Sequence, residues 1–288
     1  MADNVDANIF GKSKDTQKNQ DSISIIPVLS GYEYKMDHKH RGKAIIFNHY
    51  KFDNNSMPVR SGTELDCDRL EKVLRNIYDF EVTVCMDYKY GQIFDTLDKA
   101  ANEDYTDCDC VLVAVMSHGE KGKLYARDTS YRIETLWTPF TNCPTLIGKP
   151  KIFFIQACRG DKLDSGHKIF VDSPQLATIP TIADILVMYS TFEGYYSFRS
   201  SSKGSWFIQR LCDELESRYG DNNDKDILQV LTLVNRQMAL KDSSFNPFNK
   251  EVHNKKQVGS IVSSLTRTLY LKRRVLTNNF QYEDEPMQ

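Results

Sequence analysis

Two stretches of the sequence, Val111–Met116 (VLVAVM) and Lys151–Gln156 (KIFFIQ), decide the fold. Each is a short apolar run with few or no polar interruptions, the pattern of a strand that is buried on both faces. Strands of this kind belong to parallel sheets covered by helices on both sides. Chemically reactive residues follow both runs directly, so these two strands also predict where function lies.

Further apolar runs and helical periodicities surround these two stretches. Four more strands are predicted, at Lys43–Asn48, Glu81–Met86, Ala183–Thr191 and Ser264–Leu271, and four helices, near 64–77, 92–102, 206–219 and 226–240. Alternating strands and helices predict an α/β fold: a doubly wound, mostly parallel sheet of about six strands flanked by helices on both faces. Thr63 is the expected cap of the first helix, with Asp66 three residues on. Ser264–Leu271 (SLTRTLYL) alternates, so it is expected at a sheet edge or facing a partner chain.

The composition excludes several classes of protein. The chain has 288 residues, 40% of them hydrophobic, enough for a large core, which rules out a disordered or fibrous protein. Lys and Arg total 37 against 39 for Asp and Glu, so neither nucleic acid nor a membrane surface is an expected partner. No secretory signal or apolar run of about 20 residues occurs, which predicts a cytoplasmic protein.

The seven cysteines are odd in number and widely spaced, which predicts reduced thiols. Cys108 and Cys110 are interpreted as two thiols at the start of a buried strand, and no metal or other cofactor is expected. Residues 1–36 form a polar leader that is expected to be disordered. The polar stretch Asp161–Pro180 lies between two core strands, where such a long connection is either functional or mobile.

Reactive residues follow several of the predicted strands. Ser117-His118-Gly119 follows one strand, Ala157-Cys158-Arg159-Gly160 another and Tyr195–Arg199 a third, while Arg60 lies in the loop after Lys43–Asn48. Because parallel strands end at the same edge of a sheet, these groups are expected to meet there.

The assembled groups form a coherent chemical set. A thiol and an imidazole are a nucleophile and its base. The N–H groups of Gly119 and Cys158 could face a developing oxyanion, and the arginines could grip a carboxylate.

The run Gln156-Ala157-Cys158-Arg159-Gly160 matches the nucleophile signature of the caspase family. His118 lies 40 residues before Cys158, against about 50 in that signature. Five further motifs also match: HKHRGKAIIFNH (38–49), RSGTELD (60–66), MSHGEKG (116–122), GYYSFR (194–199) and GSWFIQ (204–209). From about His38 to Leu271 the chain resembles a caspase, and its short leader resembles that of the executioner type.

The resemblance implies an aspartate-specific cysteine endopeptidase that cuts cellular proteins after Asp in the execution phase of apoptosis. Cys158 matches the nucleophile, His118 the general acid/base and Gly119 an oxyanion donor, with a backbone carbonyl near Pro58 orienting the imidazole. The substrate-binding matches are Arg60, Gln156 and Arg199 for the aspartate, and Tyr196, Ser197, Phe198 and Trp206 for the neighbouring pockets. The alternative interpretation of Trp206 and of the Tyr195–Tyr196 pair is that they are core aromatics, although the pocket role is favoured.

Two residues depart from the family pattern. Phe198 stands where Trp is usual, and Ser200 where Asn is usual. The first keeps an apolar wall of different size. Ser200 lacks the side-chain amide that would contact an acidic residue of the substrate far from the cut. A preference for aspartate four residues before the cut is therefore not implied.

The resemblance also implies a zymogen that is activated by cleavage after internal Asp residues. The expected sites are Asp172 first and Asp164 second in the linker, and Asp6 first and Asp21 second in the leader. This divides the chain into a prodomain (1–36), a large-subunit region (37–172) and a small-subunit region (173–288), with one catalytic domain over 37–275. The implied partners are Asp-containing protein substrates, an upstream initiator caspase, inhibitor-of-apoptosis proteins and a second large/small subunit pair.

Two other classes of function remain as alternatives. A non-catalytic relative could act as a binding or dimerising decoy, which the intact thiol, imidazole and pocket residues argue against. A cysteine phosphatase would need an Arg about six residues after its Cys. The residues after Cys158 lack that Arg and include two aspartates, which would repel phosphate.

Overall fold

The computed structural model describes residues 31–160, 182–217, 225–245, 249, 251 and 253–274. Its main feature is a six-stranded sheet with the order β11-β8-β7-β3-β1-β2. These strands are β1 (Lys43–Asn48), β2 (Glu81–Met86), β3 (Val111–Met116), β7 (Lys151–Gln156), β8 (Ile185–Tyr189) and β11 (Ser260–Ser263). All pairings are parallel except that of β11 with β8.

Helices cover both faces of this sheet. They are α1 (Thr63–Asn76), α2 (Tyr90–Ala101), α3 (Thr138–Thr141), α4 (Trp206–Ser217) and α5 (Ile227–Lys241), with short 3-10 helices at Ile133–Leu136 and Pro144–Leu146. One apolar core joins the sheet to α1, α4 and α5, and a second joins its other face to α2 and α3. Because β3 and β7 lie between these cores, all their residues are buried. The predicted α/β class is confirmed.

Two small sheets lie beyond the strand ends and were not predicted. One contains β4 (Gly119–Glu120), β5 (Lys123–Tyr125) and β6 (Ser130–Arg132). The other is a hairpin of β9 (Arg199–Ser200) and β10 (Gly204–Ser205). Strands of two or three residues are too short to show an alternating pattern, so no periodic signal could predict them.

The predicted last strand, Ser264–Leu271, is wrong. The strand is Ser260–Ser263, and beyond it the described chain forms only an isolated bridge between Thr268 and Glu33. Leu269 and Leu271 are both 1% exposed and pack into the core that contains α1 and α4. The alternation therefore reflects side chains that pack against the helices, while the only β pairing of this segment with the described chain is the isolated Glu33–Thr268 bridge.

The predicted capping by Thr63 is also wrong. Helix α1 begins after Gly62, whose φ of 88° is in the left-handed region, and no side chain caps it. The Thr63 hydroxyl donates to Asn48 Oδ1 at 2.6 Å. Asp66 accepts hydrogen bonds from Ser205 and Gln209 instead. Long-range contacts therefore replace the local cap that the spacing suggested.

The final residues of the predicted disordered leader belong to the folded domain. Tyr34 and Met36 are buried in the core, and the Tyr34 hydroxyl donates to Asp184 at 2.5 Å. Residues 1–30 of the leader and 161–181 of the linker lie outside the described residues. Within the part of the chain that is described, no helix is long and apolar enough to cross a membrane.

A buried ionic cluster joins the beginning of the domain to its end. Asp109 is fully buried and pairs with Arg41 at 2.8 Å and Arg274 at 2.7 Å. The backbone N–H of His38 also donates to Asp109, and Arg274 donates to the His38 carbonyl oxygen. This cluster fixes residue 274, which follows β11 along the chain, beside residue 38, which precedes β1.

Candidate active site

The pairing of β3 with β7 sets the position of the two reactive residues. Met116 pairs with Gln156 at the carboxyl ends of these strands. His118 and Cys158 each lie two residues beyond that pair, so both emerge at the same edge of the sheet. The two segments that carry them approach closely: a Cβ on Gly119 would lie 2.6 Å from the Cys158 carbonyl oxygen. A side chain at position 119 would therefore force the two segments apart.

Two groups hold the imidazole of His118. Its Nε2 lies 2.9 Å from the carbonyl oxygen of Pro58, as the resemblance predicted. Since a carbonyl can only accept, Nε2 carries the proton and Nδ1 keeps the free lone pair. The ring of Phe52 lies against the imidazole, with centroids 4.9 Å apart. The loop between β1 and α1 thus fixes both the orientation and the tautomer of His118.

The Cys158 thiol contacts the segment that follows β8. The backbone N–H of Ser197 donates to Sγ at 3.4 Å, and Sγ lies 3.8 Å from the Ser197 carbonyl oxygen. The Ser197 hydroxyl in turn accepts from Gln156 Nε2 at 2.8 Å. Ser197 therefore links the thiol to the residue at the end of β7.

Burial favours the neutral forms of both reactive groups. It raises the pKa of the Cys158 thiol, an effect that the Ser197 N–H and the charges of Arg60 and Arg199 only partly oppose. Burial lowers the pKa of His118, and the same two arginines lower it further, while the bond to Pro58 opposes them. At neutral pH the substrate-free site thus holds a thiol and a neutral imidazole.

Arg60 is the most deeply buried cation near the site, at 1% exposure. Its Nη1 donates to the His49 carbonyl oxygen and the Thr63 hydroxyl, both at 2.8 Å. Its Nε and Nη2 have no hydrogen-bond partner among the described residues. Burial, with a contribution from the Arg199 charge, lowers the pKa of Arg60 to about 9, so it remains charged at neutral pH.

Arg199 and Gln156 complete the polar group around Arg60. Arg199 is half-buried, and its Nε donates to the Ser61 carbonyl oxygen at 3.0 Å. Gln156 is buried, and its Oε1 has no partner within the described residues. Oε1 is an acceptor, so the donors left unpartnered by the described residues are Nε and Nη2 of Arg60. Buried donors without partners are costly unless a ligand satisfies them. The geometry therefore suits an anion that arrives from outside, such as a carboxylate.

Aromatic side chains flank this polar group. Phe198 stacks on Trp206, with centroids 4.8 Å apart and an angle of 24° between the rings. Tyr196 is 42% exposed, so it is not a core aromatic. Beyond Trp206 a groove of about 870 Å³ is bounded by Ser200, Lys203, Lys241 and Phe245, among others. The Ser200 hydroxyl lies 3.2 Å from that of Ser202, inside the turn of the hairpin.

Sequence reasoning missed three residues that shape the site. Phe52 backs the imidazole. Gln257 accepts from the Phe198 N–H at 2.6 Å and donates to the Ser190 carbonyl oxygen at 2.7 Å. Asp66 fixes the β9–β10 hairpin through Ser205. Phe52 lies in the loop after Lys43–Asn48, where a phenylalanine has no characteristic pattern, and Gln257 follows no predicted strand, so the sequence offered no signal for either. Asp66 was interpreted only as a helix-start residue.

The four predicted processing sites, Asp6, Asp21, Asp164 and Asp172, lie outside the described residues. Among the residues that are described, no group of three or more His, Cys, Asp or Glu side chains is arranged to hold a metal ion. Cys108 and Cys110 directly precede β3, as interpreted from the sequence, and Cys110 is buried while Cys108 is half-buried.

The arrangement defines a class of protein: an α/β protein with a half-buried thiol, a fixed imidazole and a buried arginine with donors unpartnered by the described residues at the carboxyl edge of its sheet. Comparisons with known proteins identify the class more closely. The caspase domain model matches residues 41–270. Caspase drICE of Drosophila melanogaster is 45% identical over 246 residues, covering 82% of this chain and 71% of that protein. Caspase-1 of Spodoptera frugiperda is 45% identical over 273 residues, covering 92% and 89%.

A solved structure agrees with the sequence comparisons. The crystal structure of caspase-1 from Spodoptera frugiperda matches with a TM-score of 0.78 and 46% identity, covering 85% of this chain and 97% of that one. The chain belongs to the caspase family. It is an aspartate-specific cysteine endopeptidase that is made as a zymogen, is activated by cleavage after internal Asp residues and acts in the execution phase of apoptosis.

The neutral thiol and imidazole predict how Cys158 reacts with a small alkylating agent. Because burial raises its pKa, we expect the rate of carbamidomethylation of Cys158 to keep rising from about pH 6 to about pH 9, without a plateau near neutrality. Peptide-level mass spectrometry measures this rate, with the half-buried Cys108 as an internal reference. A plateau at neutral pH would show a preformed thiolate–imidazolium pair and contradict the prediction.

Proposed function

We propose that Cys158 is the nucleophile and His118 the general acid/base of peptide cleavage, and that Arg60, Gln156 and Arg199 bind the substrate aspartate. The observation that carries this proposal is the pair of unpartnered donors on the buried, charged Arg60. A charged group in this state is costly to keep, and a substrate carboxylate would satisfy it with charge-assisted hydrogen bonds.

The proposed reaction starts from the neutral pair. Nδ1 of His118 takes the thiol proton as Sγ of Cys158 attacks the scissile carbonyl carbon, giving an imidazolium and a tetrahedral oxyanion. The N–H groups of Gly119 and Cys158 stabilise that oxyanion. The imidazolium then gives its proton to the leaving amine, and the C–N bond breaks. Water, deprotonated by Nδ1, hydrolyses the thioester and releases the acid and the free thiol.

The pocket selects the charge and the length of the substrate residue. An aspartate carboxylate would offset part of the repulsion between Arg60 and Arg199, since the charge of Arg199 contributes to lowering the pKa of Arg60. Asparagine has the same shape and brings no charge. Glutamate is longer by one methylene and would not fit the same donors.

The neighbouring subsites are proposed from the aromatic cluster. Tyr196, Phe198 and Trp206 form the apolar walls, and the Ser197 backbone lies beside the substrate path. Phe198 and Ser200 replace the usual Trp and Asn. At position 200 the groove beyond Trp206 therefore has no side-chain amide to bind an acidic residue of the substrate four positions before the cut. The distal preference of this protein then depends on other residues of the groove.

Processing is proposed in the linker after Asp172, with Asp164 as the second choice, and in the leader after Asp6, with Asp21 second. Cleavage there would give a large subunit ending at residue 172 and a small subunit from 173, within one catalytic domain over 37–275. The segment that contacts Cys158 follows β8 and so belongs to the small subunit, which supports a site completed by both fragments.

Self-association is proposed through the sheet edge formed by β11. The strand expected for this role was Ser264–Leu271, and the described edge strand is Ser260–Ser263. Val262 on that strand is 54% exposed, which suits pairing with a second copy across a two-fold axis. A cytoplasmic location, an upstream initiator caspase and inhibitor-of-apoptosis proteins are further proposals that follow from family membership.

Fluorogenic tetrapeptides test the proposed catalytic residues. The processed enzyme should cleave after Asp at least about 100-fold faster than after Asn or Glu, because only Asp pairs with the buried donors. Cys158→Ala should lower kcat/KM at least about 1,000-fold. Cys108→Ala is the matched control, since this thiol is also half-buried, and it should retain activity. Undiminished cleavage by Cys158→Ala would disprove the assignment.

A variant pair tests the proposed processing sites. Asp172→Ala should leave the linker uncut and Asp6→Ala should leave the leader attached when the zymogen is treated with an active initiator caspase. Intact-mass spectrometry reads both outcomes. Cleavage that persists at residue 164 or 21 would move the assignment to the second site in that segment.

The edge-strand proposal is tested by light scattering after size exclusion. The processed protein should have the mass of two large/small pairs. Val262→Asp should halve that mass, because it places two like charges near each other where β11 pairs with β11 of the second copy. Phe94→Asp on α2, which is similarly exposed, should leave the mass unchanged. A fully active enzyme with the mass of one pair would refute the proposal.

A further inference from the structure

Asp66 is a buried carboxylate outside the proposed reaction. It is 0% exposed on the inner face of α1. Both of its oxygens lie 2.9 Å from the backbone nitrogen of Ser205, which donates to them. Oδ1 also accepts from Nε2 of Gln209 at 2.8 Å. The hydrogen bonds of the Asp66 carboxylate therefore all go to β10 and to the first turn of α4.

Two glycines allow the β9–β10 hairpin to come this close to α1. Gly204 has a φ of 81°, and a Cβ there would lie 2.3 Å from Asp66 Oδ1. Gly62 has a φ of 88°, and a Cβ there would lie 2.4 Å from the Ser200 carbonyl oxygen. Both positions would be strained and blocked for any other residue. The hairpin is thus seated directly on the start of α1.

The seated hairpin carries one of the two arginines of the anion pocket. Arg199 is the first residue of β9, and Ser205, which pairs with it across the hairpin, is the residue that Asp66 holds. Arg199 also donates to the Ser61 carbonyl oxygen at 3.0 Å, beside Arg60 in the chain. The distance between the two cationic side chains consequently depends on how firmly the hairpin is held.

The charge of Asp66 also acts on this pair. Arg60 and Arg199 repel each other, and the Asp66 carboxylate stabilises the charged form of both. Asp66 also lies near the thiols of Cys67 on α1 and Cys212 on α4, whose pKa values are raised mainly by burial. Asp66 is thus a buried negative charge that faces both cations without occupying their free donors.

We propose that Asp66 is a positioning residue for substrate binding: it holds the β9–β10 hairpin so that Arg199 stands beside Arg60 at the spacing an aspartate side chain requires. The inference rests on the proposed roles of Arg60 and Arg199. His118 and Cys158 extend from β3 and β7, so the spacing of the arginines and the chemistry of the thiol are set by different elements. Loss of Asp66 should weaken substrate binding and leave bond cleavage intact.

Asp66→Asn is the first test, because it keeps the shape and removes the charge and one acceptor. We expect KM for an Asp tetrapeptide to rise about tenfold, while kcat per titrated active site changes by less than about twofold. Active-site titration with an irreversible Asp-directed inhibitor corrects for inactive protein. Asp68→Asn is the matched control: it removes the same charge from the exposed face of the same helix and should leave KM unchanged.

Two further variants keep the inference testable if Asp66→Asn folds poorly. Gln209→Met removes one donor to Asp66 and should raise KM about threefold. The double variant D66N/Q209E exchanges the carboxylate and the amide, so the Ser205 N–H and the buried negative charge both keep their partners. It should recover most of the KM lost in Asp66→Asn.

The outcomes separate this inference from the proposed function. A wild-type enzyme that does not cleave after Asp would remove the proposed function itself. A wild type that does, with an Asp66→Asn variant of unchanged KM, would overturn only the role of Asp66. A variant that loses titratable sites while its KM stays constant, or a double variant without rescue, would show that Asp66 merely stabilises the fold.

Discussion

The in-register parallel pairing of β3 with β7 is the constraint on which the active site depends. Six consecutive residues of each strand pair, from Val111 with Lys151 to Met116 with Gln156. Every one of these residues is buried between two helical layers, so the register cannot slip without exposing or misplacing a whole face. The imidazole and the thiol follow at equal offsets. Their proximity is therefore a consequence of sheet register, and the loops only refine it.

Electrostatics explains why the loops around this edge are so strongly constrained. A buried guanidinium such as Arg60 is costly, and its partial satisfaction by a carbonyl and a hydroxyl leaves donors for substrate. The same charge raises the fraction of neutral imidazole at His118. In the proposed reaction, the charge of Arg60 therefore has two effects: its free donors suit a substrate carboxylate, and it favours the neutral, proton-accepting form of His118.

The fold and the reactive residues were predictable because their signals are local. Short runs rich in apolar and β-branched residues identified the five parallel strands, and the residues directly after two of them included His118 and Cys158. The errors have a common physical origin in tertiary contacts. The alternation of Ser264–Leu271 is satisfied by packing under helices, and Thr63 and Asp66 bond to distant partners rather than to their own helix. Periodicity and capping rules describe neighbours in sequence, so they could not indicate these contacts.

The site residues that sequence reasoning missed follow the same logic. Phe52 touches the imidazole from a loop without periodicity, and Gln257 reaches the Phe198 N–H across 59 residues of chain. Phe52 acts through the contact of its ring and Gln257 through two hydrogen bonds. A single phenylalanine or glutamine in a loop belongs to no sequence pattern that would predict such a role. Only the fold shows that they support the pocket.

The position of the linker in the fold explains how a cut chain could remain one domain. β7 and β8, which flank residues 161–181, are adjacent parallel strands with five paired residues. Beyond them, Asp184 is bonded to Tyr34, and Asp109 joins Arg41 to Arg274. The β7–β8 pairing and the Asp109–Arg274 pair join the proposed large-subunit and small-subunit regions. The Tyr34–Asp184 bond joins the end of the leader to the proposed small-subunit region, and none of these contacts uses the linker. A cleavage between β7 and β8 would therefore leave the sheet, both cores, the Asp109 ionic cluster and the Tyr34–Asp184 hydrogen bond in place. Its effects would fall on the segments beyond the strand ends, where Cys158 and Ser197 meet.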